Sequence, residues 1–198
     1  MAGDHLALTL AVTIRHDGHG GVADDLTDPA GLTRWAREHA ADLLPGGYTA
    51  DAAALAAVVE VRTAVRALFA RAVLPGPPSS ADAAKLPDAA SALSRLNAAA
   101  ARVPLVPRLD WPAGGAPAAG FAVQESVPPA DRLAAGLAQA AITFLAGPDR
   151  NRLRACHAPR CVRYFVQDHP RQEWCKPACG NRARVARHHA RQRVRGDT

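Results

Sequence analysis

The chain has 198 residues, of which 48% are hydrophobic and 21% charged, and this size suits one domain with a real core plus a small module. No run approaches the roughly 20 apolar residues that cross a bilayer, and the first residues lack the basic segment of a secretory signal, so we expect a cytoplasmic protein without membrane contact. The net charge of +6 is divided unevenly, because residues 150–198 carry 13 Lys and Arg against 3 Asp and Glu. Residues 1–149 carry 11 against 15, and an acidic body with a basic end is typical of a protein that binds a polyanion.

The first part of the chain predicts one strand followed by two helices. Apolar residues alternate over residues 6–14, which indicates a strand with one buried face. Asp28 precedes Pro29, a combination that starts a helix, and this helix should end near residue 44. The longest predicted helix spans about residues 49–74, and Arg62 lies within its apolar stripe.

The middle of the chain predicts two more helices and two strands. A third helix covers residues 80–101, although Pro87 is able to break it. Two strands, at residues 103–111 and 120–127, flank a loop rich in Pro, Gly and Ala. A fourth helix begins near Pro129, and the turn at residues 147–149 ends it. The sequence therefore predicts a mostly helical α+β domain over residues 1–149 and a separate module over residues 150–198.

That module contains all the cysteines of the chain, in two close pairs. They are Cys156, Cys161, Cys175 and Cys179. Two pairs separated by a short spacer allow four thiolates to meet at one tetrahedral zinc. Two disulfides are the alternative, but paired cysteines in a cytosolic chain are more often metal ligands. Four cysteines leave no open position for water, so we expect one structural Zn²⁺ rather than a catalytic one.

The spacing of the cysteines also predicts the architecture around the metal. We expect a tight turn between the first pair, a strand at residues 162–166, a returning strand at residues 172–174, and a final helix that supplies Cys179. This arrangement is a treble clef. Because the module is too small to bury much surface, we expect zinc binding to supply its folding free energy, an apparent value of about 10–16 kcal/mol in small modules. A stripe of the final helix should pack on the hairpin. This stripe comprises Ala183, Ala186, Ala190 and Val194.

The final helix is dense in arginine and predicts a nucleic-acid interface. Arginine binds phosphate with two parallel hydrogen bonds and also reaches guanine edges, and phosphate contact is the simpler assignment because it requires no exact base geometry. The candidate contacts are Arg182, Arg184, Arg187, His188, Arg191 and Arg193. The alternative is a basic helix that is merely solvated.

These residues resemble a known zinc finger. The run Cys179-Gly180-Asn181-Arg182, preceded by Trp174-Cys175 and followed by the Arg- and His-rich helix, resembles the CGNR zinc finger of bacterial stress-induced transcription regulators. The Cys156–Cys161 pair is similar to the first pair of that finger. The resemblance implies that the four cysteines are zinc ligands and that double-stranded DNA is the partner. Residues 6–13 and Arg62 to Arg66 resemble that family's N-terminal domain more loosely.

We therefore expect a DNA-binding regulator rather than an enzyme, whose N-terminal domain senses a ligand or mediates homodimerisation. The first alternative is an RNA-binding protein that uses the same helix. The second is an enzyme or ligand-binding protein with a pocket around Arg62 and Arg66. A buried Arg62 needs a partner. An internal carboxylate such as Glu60 or Asp110 is one expectation, and a small anionic effector bound by Arg62 and Arg66 is the other.

Overall fold

We describe the fold from a computed structural model, which describes residues 5–19, 21–44, 46–82, 86–104, 106–122 and 127–196. The elements in chain order are α1 (Leu6–Ala11), β1 (Ile14–His16), β2 (Val22–Asp24), α2 (Pro29–His39), α3 (Ala52–Ala72), α4 (Ala89–Ala101), β3 (Val106–Asp110), β4 (Ala118–Ala122), α5 (Pro129–Ala146), β5 (Leu153–Ala155), β6 (Tyr164–Val166) and α6 (Pro177–Gly196). Short 3-10 helices at Ala41–Leu43 and Pro148–Arg152 follow α2 and α5. The strands pair as β1–β2, β3–β4 and β5–β6, all antiparallel, so the predicted α+β class is confirmed.

The prediction of a strand over residues 6–14 is wrong, because most of this segment forms α1. Ala7, Leu10 and Ala11 are fully buried, and their spacing of three and four residues places them on one helix face. Nearly every position here is apolar or small, so the alternation of large and small residues did not distinguish a strand from a helix. Packing of α1 against α5 and α3 decides the outcome, and the extended chain begins only at Ile14.

Helices α3, α4 and α5 pack on one another and form the centre of the helical body. Asp51 and Asp88 cap α3 and α4, since their carboxylates accept hydrogen bonds from backbone N–H groups of the first turn. Asp28 caps α2 in the same way, one residue ahead of Pro29. Helix α4 begins only at Ala89, so the segment before Pro87 that was predicted as helix is not helical where the structure describes it.

The hairpin of β5 and β6 extends this core beyond the predicted domain boundary. Leu153, Ala155, Tyr164 and Val166 belong to the same buried cluster as the apolar faces of α3 and α5. The prediction that residues 162–166 pair with residues 172–174 is wrong. Strand β6 pairs with β5 instead, because β5 offers buried side chains on one face whereas residues 172–174 are polar or only partly buried.

The predicted strands near residues 103–111 and 120–127 correspond to the shorter hairpin of β3 and β4, and residues 123–126 of the second prediction lie outside the described residues. Every residue of β3 is exposed, and Leu109 and the neighbouring Trp111 are among the most exposed large apolar side chains of the described residues. This ribbon therefore adds little to the core. None of the helices in the described ranges combines the length and hydropathy that crossing a bilayer requires.

Candidate metal centre and nucleic-acid interface

The structure brings the four cysteine side chains together in one cluster. Their Sγ atoms all lie within 4.8 Å of one another, with 3.7 Å between Cys161 and Cys175 and 3.5 Å between Cys175 and Cys179. Cys156 and Cys161 flank the turn between β5 and β6, whereas Cys175 precedes α6 and Cys179 lies in its first turn. All four are free thiols, and all except Cys175 are buried.

These separations fit a tetrahedral zinc and not a pair of disulfides. Zn–S bonds of about 2.3 Å place the sulfur atoms of a tetrahedral site about 3.8 Å apart, close to the two separations given above. Hydrogen bonds from Cys156 and Cys175 lower the pKa of the Cys161 thiol, while hydrogen bonds to Cys156 and Cys161 raise the pKa of the Cys175 thiol. Four cysteine sulfurs at the separations of a tetrahedral shell confirm the predicted site for one structural Zn²⁺. When bound, the zinc supplies a crosslink between the β5–β6 turn and α6.

The four residues from Cys179 to Arg182 each have a distinct structural role. Cys179 contributes its sulfur, and Arg182 Nη2 donates a hydrogen bond of 3.1 Å to that sulfur. A Cβ atom added to Gly180 would lie 3.1 Å from Cδ1 of Trp174, so glycine lets the helix approach the indole ring. Asn181 Oδ1 accepts a 2.6 Å hydrogen bond from Arg184, so the asparagine has a local structural role.

Arg182 therefore differs from the other candidate nucleic-acid contacts. Its guanidinium is half-buried against the cysteine cluster, whereas the remaining candidates are exposed along α6. These are Arg184, Arg187, His188, Arg191 and Arg193. At 100° per residue, Arg184, Arg187, His188 and Arg191 share one face of the helix and Arg193 lies on another. Their role in binding nucleic acid stays a prediction.

Helix α6 packs on its module over a shorter length than expected. Ala183 is buried, but Ala186 and Ala190 are exposed, so the prediction that these two alanines pack on the hairpin is wrong. The side chain of Val194 lies outside the part that the structure describes. The hairpin strands have only three residues each, and Phe165 of β6 shares a buried cluster with Cys179 at the start of α6. All residues from 184 to 193 are exposed, so this stretch of helix has solvent on every side.

The structure also gives both arginines of the predicted N-terminal pocket internal partners. Arg62 is 5% exposed and forms a bidentate ion pair with Asp24, in which Nη2 donates to Oδ2 over 2.6 Å. Arg62 also donates to the Thr13 hydroxyl. The carboxylate is thus neither Glu60 nor Asp110, the two predicted partners. Asp24 was not predicted as the partner because it lies in β2, 38 residues before Arg62, and only the fold brings the two side chains together.

Arg66 connects the helical body to the hairpin beside the cysteine cluster. It donates to Asp82 over 2.7 Å and to the carbonyl oxygen of Ala11 over 2.6 Å, and Nη2 points to the carbonyl of Val162 at 3.4 Å. Ser79 Oγ donates to the same Val162 carbonyl over 2.9 Å. A direct contact between an effector and Arg62 or Arg66 would have to replace these bonds, so effector binding by this pair stays a prediction.

Comparison with known families gives one match for the helical body and one for the cysteine-containing end. A family model described as "Putative stress-induced transcription regulator" matches residues 4–148, and a model of the CGNR zinc finger matches residues 152–192. A search of curated proteins finds no match. The first model covers more than half of the chain, and the second contains the cysteine cluster described above. The chain therefore belongs to the family of putative stress-induced transcription regulators and carries a CGNR zinc finger.

Proposed function

We propose that the chain is a DNA-binding transcription regulator, and that α6 contacts the phosphates of duplex DNA. The observation that carries this proposal is the composition and exposure of α6. The helix contains six arginines and no acidic residue, and from Arg184 to Arg193 its side chains lie open to solvent. An exposed, purely cationic helix held at one end by a metal site is suited to enter a groove or lie along a phosphate backbone.

Two further features support a regulator rather than an enzyme. The metal site has four sulfur ligands and no open position, so it favours a structural role. Arg62 and Arg66, the residues of the candidate N-terminal pocket, are each paired with a carboxylate in the interior of the body. This pairing favours a structural role for both arginines over a role in an active site. We propose that the body senses a ligand or mediates homodimerisation, and that the protein acts in the cytoplasm, where its thiols stay reduced.

The experiment that tests the interface compares two triple variants of equal charge. In the first, Arg184, Arg187 and Arg191 become Ala. In the control, three exposed arginines of the body become Ala, namely Arg34, Arg95 and Arg108. Affinity for duplex DNA is measured at several salt concentrations by electrophoretic mobility shift.

Each phosphate contact contributes about 0.9 to the steepness of log K against log salt. If each of the three helix arginines contacts one phosphate, the slope of the first variant should therefore be shallower by about 2.7. The control variant should keep the slope of the original chain, and both variants should keep their zinc. An unchanged slope in the first variant would contradict the proposal. Tighter binding to RNA or to single strands than to duplex DNA would instead favour the RNA-binding alternative.

A further inference from the structure

An open cleft lies at the C-terminal end of α3. It is bounded by the end of α3, by α4 and α5, and by the segment that leads from α5 into β5. Its volume is about 1000 Å³, which is at the upper end of the range for small-molecule sites. Neither the cysteine cluster nor the buried Arg62–Asp24 pair contributes to its walls.

The walls of the cleft expose large apolar side chains. Leu68 and Leu96 are buried at its base. Leu74, Leu93 and Ile142 line the same cleft, yet they are 63%, 49% and 36% exposed. Isolated exposed apolar residues are ordinary, but three of them converging on one concavity indicate a surface that a ligand can cover.

Three arginines line the same cleft, and none of them pairs with a carboxylate of the described residues. Arg71 comes from the last turn of α3, Arg150 from the 3-10 helix that follows α5, and Arg154 from β5. Arg71 makes no hydrogen bond or ion pair with the described residues, while Arg150 and Arg154 contact only the Asn151 amide and backbone carbonyls. The described lining includes no Asp or Glu. The cleft therefore combines an apolar wall with uncompensated positive charge.

We infer that this cleft binds a small amphipathic anion, an organic carboxylate with an apolar tail. The tail would cover Leu93 and Ile142, and the carboxylate would lie between Arg71 and Arg154, which offer paired N–H donors. This inference rests on the sensing role in the proposed function and deepens it, because it gives the effector a chemical class and a position different from Arg62 and Arg66. Arg154 lies two residues before Cys156, so a bound anion would contact both the helical body and the segment that enters the metal site.

Binding is tested on the full, zinc-loaded chain without DNA, so that this result and that of the DNA experiment are independent. The probe is decanoate below its micelle concentration, followed by isothermal titration and by thermal melting. Decanol has the same tail without the charge, and inorganic phosphate has charge without a tail. Decanoate should bind saturably and raise the melting temperature, and neither control compound should match it.

The variants separate this cleft from nonspecific binding. Arg71→Gln and Arg154→Gln should each weaken decanoate about threefold, as expected for an exposed charge contact, and the double variant about tenfold. Arg34→Gln removes an equally exposed arginine outside the cleft and should change nothing. Ile142→Asp should abolish binding through charge repulsion, and its melting temperature without ligand checks that it folds.

Three results would overturn the inference. The first is equal binding of decanoate and decanol, and the second is an equal effect of Arg34→Gln and Arg71→Gln. The third is a change in the sedimentation mass of the chain with Ile142→Asp in the absence of ligand, because that would identify the cleft as a contact between two copies.

Discussion

The Tyr164 hydroxyl donates a 2.6 Å hydrogen bond to Asp82, and this bond joins the hairpin beside the cysteine cluster to the helical body. Asp82 also accepts from Arg66, and the Tyr164 ring packs edge-on against Phe69 at 5.5 Å. Burial raises the pKa of Tyr164, and the nearby Asp82 carboxylate raises it further. The hydroxyl therefore stays protonated near neutral pH and keeps donating its hydrogen bond to Asp82.

Tyr164→Phe should lower the free energy of unfolding by about 1–2 kcal/mol, because Asp82 and the Ser79 N–H each lose a partner while the ring contact with Phe69 remains. Tyr48→Phe is the matched control. The Tyr48 hydroxyl is buried without a hydrogen-bond partner among the described residues, so its removal should be neutral or slightly stabilising. Urea denaturation measures both. Equal effects of the two substitutions would mean that the Tyr164 hydroxyl has no special role.

Asp24→Asn should show how the Arg62 ion pair depends on pH. Burial raises the pKa of Asp24, but the hydrogen bonds from Arg62 and the Leu26 N–H outweigh this effect and hold the pKa below its ordinary value. A carboxylate of this kind stabilises the fold above its unfolded pKa, near 3.9, and loses that contribution as the pH falls through its lower folded pKa. The substitution should therefore cost about 2 kcal/mol at neutral pH, and this difference should shrink below about pH 4.

Asp25→Asn is the control for that experiment, since it removes an exposed pair with Arg15. Its cost should be less than about 1 kcal/mol. Denaturant unfolding at a series of pH values gives both differences. A cost for Asp24→Asn that stays constant down to the most acid value would show that the lost interaction does not involve the charge of Asp24.

Cys179→Ser should release the zinc and lower the melting temperature of the whole chain, because the metal links α6 to a hairpin whose side chains belong to the main core. His157→Ala is the matched control, since His157 is exposed beside Cys156 and is expected to be no ligand. That variant should keep one zinc per chain by elemental analysis. Full zinc content in Cys179→Ser, or loss of zinc in His157→Ala, would refute this assignment of the ligands.

Arg182→Met should weaken zinc binding about 10- to 100-fold, the usual effect of losing a hydrogen bond to a metal ligand. Arg184→Met, two residues further along α6, should leave zinc affinity unchanged, because Arg184 contacts Asn181 and no cysteine. Competition with a chromophoric chelator measures both affinities. If the two variants bind zinc equally well, Arg182 does not support the metal site.

The metal site was predictable from the sequence, whereas the surroundings of the two buried arginines were not. Four cysteines in two close pairs within one short segment are typical of a zinc site, and their spacing alone predicted the cluster. Capping aspartates such as Asp51 and Asp88 likewise mark helix starts by local chemistry. The partners of Arg62 and Arg66 come instead from distant segments, and no local pattern in a single sequence identifies such contacts.

The two wrong strand predictions have a related cause. Around residues 6–14 both helix and strand periods fit the apolar pattern, and contact with α5 selects the helix. For β6, the expected partner was the segment that follows it in the chain. The actual partner is β5, since Leu153 and Ala155 complete an apolar surface that only the folded helical body provides.

The burial of four hairpin side chains in the helical body limits how this protein can be divided or recombined. These side chains are Leu153, Ala155, Tyr164 and Val166. The finger therefore cannot be moved as an independent unit. A cut after residue 149 would strip these four side chains from the interior of the body and leave Ser79 without the Val162 carbonyl that its hydroxyl binds. Grafting this finger onto a foreign protein would expose the same apolar face of the hairpin. Exchange experiments should therefore transfer only α6 beyond Ala183, since residues 184–193 of the helix are all exposed.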